Sequence, residues 1–463
     1  MKKGHLFALS LLMGTLTFAQ TTLVKPSDDT SNDLQLTWGG DIRFRAISEN
    51  NFPNEKHGQK TDTDYTRFRT RLWGKATYNK LEAFLRIGNE FRYYASEKKD
   101  KGKQRFPDVT YIDNLYLRYK DDDIEIKIGR QDMRFGAKRI ISDGTGGDGS
   151  RTTFFDAIRT TLQFEEKRKL DLFAIYMARH DWMPSVGRTH NAKSKGTKGY
   201  DYDLTGYNHN EYGIGAYYTD ESLKELPWEA YYIWKCEEGE HSTVYDTAES
   251  GNTFQTHTIG FRLLPQFTKE LSGELEAALQ VGDESLFAGM AYAGMTYKRT
   301  DWQWKPAFTC GIQYMSGDKE GGRGDAAWHP VFNRETGVGD SIAPMFDKYA
   351  YNNFLYPHFK LSCAPTEKTT LSAETGPMFA PTDEVYKAER YGNFRGYFVK
   401  AKYSLAIGEM LQDSQWGSTL THPNRLKDLV LSLSAEYLSK GNYFADDAND
   451  DALFFQLELT YKF

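Results

Sequence analysis

Arg67, Arg69 and Arg71 occupy alternate positions in one short stretch of the sequence. On a β-strand these positions share a face, and successive side chains on that face stand about 7 Å apart. Like charges at this spacing cost free energy unless anions or carboxylates lie against them. Because a guanidinium keeps its charge and has a planar fork that matches carboxylate or phosphate, this ladder predicts contact with anions.

The segments that carry such residues alternate between apolar and polar side chains. Residues 34–46 show the pattern from Leu34 to Ala46, and residues 453–463 repeat it up to Phe463. A period of two is typical of a strand with one apolar and one polar face. Sixteen further segments show it, among them residues 124–134 and 302–316, so the sequence predicts about eighteen strands.

The connectors between these segments alternate between long and short, as residues 49–64 and then 79–80 illustrate. This alternation is typical of an outer-membrane barrel, which has long extracellular loops and short periplasmic turns. No run of 18 apolar residues follows the N-terminus, which excludes a helical membrane protein. The predicted fold is therefore all-β: a single transmembrane antiparallel β-barrel of about eighteen strands, with both termini periplasmic. A secreted β-sandwich, the competing fold, does not need alternating loop lengths.

The N-terminus has the features of a secretory signal peptide, because Lys2 and Lys3 precede a short apolar run that ends before Ala19. The predicted organisation is a signal peptide at residues 1–19, a short periplasmic segment at 20–33 and the barrel at 34–463, in the outer membrane of a Gram-negative bacterium. The expected partners are outer-membrane lipid and lipopolysaccharide, the barrel-assembly machinery, and an anionic polysaccharide or small anionic solute. We expect a monomer. The net charge of -6 argues against nucleic-acid binding.

The charged face of the strands is predicted to line the lumen, because lipid cannot satisfy a charge and water can. The outward face carries almost no charge, with Asp113 and Arg395 as exceptions near strand ends. Charge of one sign around a pore selects ions, so we expect an anion-conducting constriction. The alternative is a wall of mutually satisfied salt bridges that holds the barrel round. The predicted pore-lining residues are Arg43, Arg45, Arg67, Arg69, Arg71, Arg86, Glu90, Arg118, Lys127, Arg130 and Arg159.

A motif spans the fifth and sixth predicted strands and the connector between them. It consists of Gly129, Arg130, Gln131, Gly136, Arg139, Arg151, Asp156 and Arg159. The run resembles the alginate export family of outer-membrane barrels, in which a Gly-Arg-Gln turn of strand is followed by Gly, Arg, Arg, Phe-Asp and Arg. Similar pieces occur at residues 316–318 and 441–444, so the resemblance covers most of the chain.

This resemblance implies an eighteen-stranded barrel whose narrow, arginine-rich pore passes the acidic polysaccharide alginate. It also implies that Arg130, Arg139, Arg151, Asp156 and Arg159 line the pore or anchor its loops. The predicted function is passive passage of anionic solutes, without cofactor, metal or catalytic residues. The first alternative is a general porin that imports other small anions, and the second is an outer-membrane barrel hydrolase, for which His180-Asp181 is the nearest candidate pair.

Three further features of the sequence are interpreted structurally. Residues 144–149 match a glycine-rich nucleotide motif, but a strand follows where that motif needs a helix, so a loop is favoured. Cys236, Cys310 and Cys363 fall on the outward face and are expected to be small lipid-facing side chains. Residues 408–426 form a long connector on the short-turn side, which is either a gate under the pore or slack chain.

Overall fold

The computed structural model describes residues 33–53, 60–94, 110–142, 154–165, 167–178, 181–186, 209–239, 253–317, 326–333, 352–382, 385–386, 389–390, 392–412, 427–444 and 450–463. Within these residues one antiparallel sheet contains eighteen strands, which we number β1–β18 in chain order. They are β1 Gln35–Pro53, β2 Lys60–Tyr78, β3 Leu81–Tyr94, β4 Thr110–Lys120, β5 Ile124–Gln131, β6 Phe155–Glu165, β7 Arg168–Met177, β8 His209–Asp220, β9 Trp228–Gly239, β10 Thr253–Leu263, β11 Leu271–Gly282, β12 Phe287–Lys298, β13 Ala307–Met315, β14 Phe354–Thr366, β15 Thr369–Phe379, β16 Phe394–Leu405, β17 Leu429–Lys440 and β18 Ala452–Lys462.

The sheet closes on itself. β18 pairs antiparallel with β1, from Asp41 opposite Lys462 to Asn50 opposite Leu453, and every other strand pairs with its neighbours in sequence. A closed sheet leaves no unpaired strand edge, which a bilayer requires because hydrocarbon offers backbone groups no hydrogen bonds. The all-β barrel prediction is therefore confirmed. Among the described residues, no helix combines the length and the apolar character needed to cross a bilayer.

Side chains alternate between two environments along the strands. On β3 the outward Leu81 is 56% exposed, whereas the adjacent Glu82 is 6% exposed and faces the lumen. Many large apolar side chains of the sheet are exposed, among them Leu117, Ile259 and Phe359, which suits contact with hydrocarbon. Tyr78 and Trp302, both about half exposed, lie at the short-turn end of the barrel, where an aromatic girdle is expected. That this end is periplasmic stays a prediction.

Several strand ends differ from the predicted spans; β1 extends to Pro53 and β2 begins at Lys60, so the first hairpin is longer than predicted. β5 ends at Gln131 rather than at residue 134, because the chain leaves the wall there and enters the lumen. β13 begins at Ala307 rather than at residue 302, because Trp304 and Lys305 have φ angles of 71° and 46°. Positive φ interrupts extended backbone, so the preceding turn is longer than predicted.

Asp113 and Arg395 do not face outward as predicted. The registers of β3–β4 and of β15–β16 each shift by one residue, and these two residues are the extra ones. Such a β-bulge re-aims a side chain that the simple alternation would place on the other face. Asp113 is fully buried against Arg86, and the guanidinium of Arg395 lies 4.6 Å from the ring of the buried Tyr443.

Two segments between strands turn into the lumen. We call residues 132–142, after β5, the first inner segment, and residues 326–333, between β13 and β14, the second inner segment. They meet at a parallel bridge, where the Phe332 N–H donates to the Ile140 carbonyl and the Ser142 N–H to the Phe332 carbonyl, both at 3.0 Å. Apolar residues of both segments, including the fully buried Trp328, join the hydrophobic cluster formed by inward side chains of the wall. Packed chain therefore fills part of the barrel interior.

The described residues also include a short hairpin, Val385–Tyr386 with Glu389–Arg390, a 3₁₀ turn, Asp283–Ser285, and one helix, α1, Ile407–Gln412. α1 covers the start of the connector predicted as a gate or slack chain, and the rest of that connector lies outside the described residues. The predicted signal peptide and residues 144–149 also lie outside them.

The three cysteines are unpaired. Cys310 is exposed, Cys363 is half-buried and Cys236 is buried. Cys310 lies opposite the exposed Phe359 in the register, and Cys236 lies opposite Tyr212 on the outward side of β8. All three are on the predicted outward face, and neighbouring side chains cover Cys236 there.

Candidate functional site in the barrel lumen

The lumen-facing positions of β1–β4 form a surface that we call the basic wall. Cations outnumber carboxylates on it, and the period-two spacing of the sequence places them on one face. Its cations are Arg43, Arg45, Arg67, Arg69, Arg71, Lys75, Arg86, Arg92 and Arg118, and its carboxylates are Asp41, Glu49, Glu82, Glu90 and Asp113.

Arginines lie directly opposite one another on the basic wall. Arg43 is the cross-strand partner of Arg69, and Arg45 is the partner of Arg67. Arg67 also pairs with Arg92 on β3, so one row across the sheet carries three arginines. Directly opposed like charges destabilise a sheet unless other groups compensate them. The structure thus brings together the arginines that were predicted to line the pore.

Asp41 compensates part of this charge. It accepts hydrogen bonds from Arg69 Nη2 at 3.0 Å and from Arg71 Nε at 2.7 Å. Arg69 is 6% exposed, and its Nε and Nη1 atoms have no hydrogen-bond partner within the residues that the structure describes. A buried N–H group without a partner is costly, so these two donors of Arg69 are a source of instability in this wall.

Glu90 and Glu458 lie on either side of the same cluster. Glu90 accepts a hydrogen bond from Arg67 Nε at 3.3 Å, and its second oxygen lies 3.9 Å from Arg43 Nη2. Glu458 on β18 accepts a hydrogen bond from Arg45 Nε. Part of the wall is therefore a salt-bridge network, as the alternative interpretation of the sequence predicts, although its cations remain in excess.

Arg86 and Arg118 extend the basic wall toward the first inner segment and the short turns. Arg86 donates to Asp113 and, at 2.9 Å, to Asp132, the first residue of the first inner segment. Arg118 Nη2 donates to Glu82 at 2.7 Å. Both arginines hold neighbouring elements together through charge-assisted hydrogen bonds.

Lys127 on β5 and Arg159 on β6 face the lumen beside the basic wall. Lys127 Nζ lies 4.7 Å from the centre of the Tyr116 ring. Arg159 Nε donates to Asp171 at 2.9 Å, and its guanidinium lies 4.9 Å from the Phe135 ring. Arg159 thereby connects the wall with the first inner segment.

The lumen faces of β8–β12 form a second surface, which we call the covered wall because both inner segments pack against it. Arg139 of the first inner segment donates to Glu274 at 2.7 Å and to Glu276 at 2.6 Å, and its guanidinium lies 3.7 Å from the Tyr292 ring. Arg262 on β10 donates to Glu274 at 2.9 Å. These contacts give Arg139 the geometry of a loop anchor.

Phe135 and Gly136 bring the first inner segment close to β7 and β8. The Phe135 ring stacks on Phe173 at 5.4 Å and on Tyr217 at 4.7 Å between ring centres. Gly136 has a φ of 52°, and a Cβ there would lie 2.5 Å from the Tyr217 hydroxyl. Only glycine suits both the conformation and the space.

Arg130 lies on the outward parity of β5, two residues after the exposed Ile128 and opposite the exposed Leu115, which corrects its predicted place among the pore-lining residues. Its guanidinium is fully buried and donates to Asp156 at 2.9 Å and to Asp181 at 2.8 Å. Residues 181–186 end in a backbone bridge to Thr110, the first residue of β4, beyond the point where β5 leaves the wall. Arg130 therefore joins residues 181–186 to β6, next to the point where β5 ends.

Gly129 and Gln131 help to define the end of β5. Gly129 has a φ of 121°, and a Cβ there would lie 2.3 Å from the Leu115 carbonyl oxygen. The Gln131 side chain donates to the Ala157 carbonyl at 3.0 Å and so holds the end of β5 to β6. Arg151, the remaining residue of the motif, lies outside the described residues.

The described residues show no cluster of His, Cys, Asp and Glu side chains that could hold a metal ion. Of the candidate hydrolase pair, His180 lies outside the described residues and Asp181 is bound by Arg130.

The groups that hold the second inner segment were not predicted from the sequence. Gln280 exchanges two hydrogen bonds with the backbone of His329, whose Nε2 lies 2.9 Å from Glu237. Lys235 lies 2.6 Å from Glu237 and donates to the Pro330 carbonyl at 3.1 Å. A usable signal was the apolar character of residues in both long connectors, since large apolar side chains normally seek burial.

The family model described as Alginate export matches residues 34–378. A comparison with curated proteins finds no match. Similar solved structures include OccK11 (OpdR) of Pseudomonas aeruginosa, with 13% identity, a TM-score of 0.54 and coverage of 92% of this chain and 95% of that chain. A BenF-like porin of Pseudomonas fluorescens Pf-5 has 13% identity, a TM-score of 0.57 and coverage of 93% and 98%. OpdK of Pseudomonas aeruginosa, solved with vanillate, has 11% identity, a TM-score of 0.54 and coverage of 92% and 98%.

At these identities the solved structures establish only the barrel fold. The family model matches most of the chain and therefore establishes the family. A closed barrel with an apolar outer face and a charged lumen agrees with both comparisons. The protein is an outer-membrane channel, and the chain belongs to the alginate export family.

Proposed function

We propose that the barrel conducts anionic solutes passively along the basic wall, and that acidic oligosaccharides or polysaccharides such as alginate are its preferred solutes. The observation that carries the proposal is the pairing of Arg43 with Arg69 and of Arg45 with Arg67 on adjacent strands. Such pairs cost free energy in the empty barrel, and a carboxylate that passes between them offsets part of that cost.

The neighbouring carboxylates give this wall the moderate affinity that conduction needs. Asp41 and Glu90 already take some of the arginine hydrogen bonds, so an incoming anion competes with them and also leaves again. A channel requires binding that is favourable enough for entry and weak enough for exit, spread over several sites. Arg67, Arg69 and Arg71 provide successive sites about 7 Å apart along β2.

The comparisons support an anionic solute in two ways. The family is described by the export of alginate, which is a polymer of uronic acids. The structure of OpdK contains vanillate, which is a small carboxylate, and this favours the general porin for small anions as the second candidate. A barrel hydrolase has no comparable support among the described contacts.

Single-channel recording in planar bilayers tests the proposal. An oligomer of guluronate and a neutral malto-oligosaccharide of equal length are added in turn to one side of the membrane. We expect frequent transient blockades by the acidic oligomer, and more of them at low ionic strength because salt screens the attraction. Equal blockade by both oligomers contradicts an acidic solute. Permeation of vanillate without any blockade by the acidic oligomer favours the small-anion porin.

A further inference from the structure

The second inner segment reaches the barrel wall through the side chain of Gln280 on β11. The His329 N–H donates to Gln280 Oε1 at 2.9 Å, and Gln280 Nε2 donates to the His329 carbonyl at 2.7 Å. Gln280 is fully buried, and Nε2 also donates to Thr258 Oγ1 at 3.1 Å. The primary amide thus pairs with a peptide group in the way that a neighbouring strand does.

The contact with Gln280 supplies hydrogen bonds that the backbone of the second inner segment otherwise lacks at His329 in the described part of the chain. A buried peptide group requires a hydrogen-bond partner, and within its described residues the segment pairs as a strand only at the bridge with Ile141. Three residues after His329, the Phe332 ring lies against Gly213 of β8, where a Cβ would meet the ring at 2.5 Å. The hydrogen bonds to Gln280 and the contact with Gly213 together fix the distance between the second inner segment and the covered wall.

We propose that Gln280 is a positioning residue that sets the width of the channel by holding the second inner segment against the covered wall. Trp328 and Phe332 of that segment occupy lumen space while it is docked, and undocking moves them into the path of solutes or out of it. The inference rests on the barrel being a channel and is independent of its preference for anions, because Gln280 is uncharged and binds a backbone group.

Gln280→Met tests the inference, because methionine keeps the length of the side chain and removes both hydrogen bonds to His329. Thr258→Val is the matched control, since it removes the third partner of Gln280 and leaves the contact with His329 intact. Three quantities are measured: single-channel conductance, the largest neutral sugar that enters proteoliposomes, and the reversal potential in a salt gradient.

For Gln280→Met we expect substates of altered conductance to become roughly tenfold more frequent, since two lost hydrogen bonds shift a docking equilibrium by about that factor. The size limit for neutral sugars shifts with them, and the reversal potential stays at the wild-type value. Thr258→Val behaves as wild type.

A Gln280→Met barrel that folds, as shown by heat-modifiable gel migration, and that keeps the wild-type conductance and size limit overturns the inference. If this variant does not fold, Gly213→Ala decides, because the added methyl displaces Phe332 without removing a hydrogen bond. Gly213→Ala must then alter the conductance substates, and wild-type behaviour of this variant also overturns the inference. A failure of anion preference appears only in the reversal potential, so it is distinguishable from a failure here.

Discussion

The basic wall and the covered wall differ in how their buried cations are balanced by carboxylates. On the covered wall, cations are placed against carboxylates: Arg139 lies between Glu274 and Glu276, and Lys235 lies beside Glu237. On the basic wall, arginines are placed opposite arginines, and the carboxylates are too few to match them. The same residue type therefore meets opposite surroundings in one lumen.

Under the proposed function, this difference separates the charges that hold the structure from the charges that meet the solute. A buried pair whose partners match holds its elements in place, and removing one partner leaves an uncompensated charge in a poorly solvated site. A surplus of one sign gains most from a mobile counter-charge, which a passing solute supplies. We therefore expect substitutions on the covered wall to alter stability, and substitutions on the basic wall to alter selectivity.

The largest expected effect is that of Arg139→Met. The change leaves Glu274 and Glu276 without this partner, and Glu276 is 2% exposed. Breaking a buried ion pair from one side costs about 3–5 kcal/mol, so the free energy of unfolding in urea should fall by that order. Arg43→Met is the matched control on the basic wall, because it relieves the repulsion from Arg69, and we expect a much smaller loss. Equal losses of unfolding free energy in the two variants would contradict the distinction between the walls.

A smaller effect is expected from Asp41→Asn on the basic wall. The substitution removes the charge that faces Arg69 and Arg71 and keeps the size of the side chain. Weakening two charge-assisted hydrogen bonds costs roughly 1–3 kcal/mol of stability, while the larger positive surplus should strengthen anion preference in bilayer recordings. A weaker anion preference in this variant contradicts the assignment of this wall to solutes.

The smallest effect is expected at an exposed ion pair in the turn between β12 and β13. The Arg299 guanidinium donates to Asp301 at 2.8 Å, and this hydrogen bond lowers the pKa of Asp301 to about 2. A pKa below that of the unfolded chain stabilises the fold above pH about 4, and the contribution is lost as the pH falls toward 2. The stability difference between wild type and Asp301→Asn should be slight at pH 7 and vanish near pH 2. A difference that does not change with pH would assign it to another cause.

The period of two in the sequence was sufficient to predict the closed barrel and the shared face of Arg43, Arg45 and Arg67. It could not predict the register shifts that turn Asp113 and Arg395 inward, because a bulge depends on pairing with the neighbouring strand rather than on local alternation. Each bulge reverses the face of a charge that alternation had placed outward.

The interior of the barrel was harder to predict than its wall. Strand patterns say nothing about where a long connector goes, so the burial of Trp328 and the role of Gln280 depend on contacts between distant parts of the chain. Arg130 was misplaced for a related reason. The period of two places it on the outward face with Ile128, but its burial there depends on Asp181 and on residues 181–186 bridging to the start of β4, which local spacing does not encode.

The reversal potential of single channels in a potassium chloride gradient tests the solute-facing role of the basic wall most directly. The wild-type barrel should prefer chloride, and a triple variant with Arg67→Gln, Arg69→Gln and Arg71→Gln should lose most of that preference while still forming channels. A preference for potassium in the wild-type barrel that the triple variant leaves unchanged would contradict it.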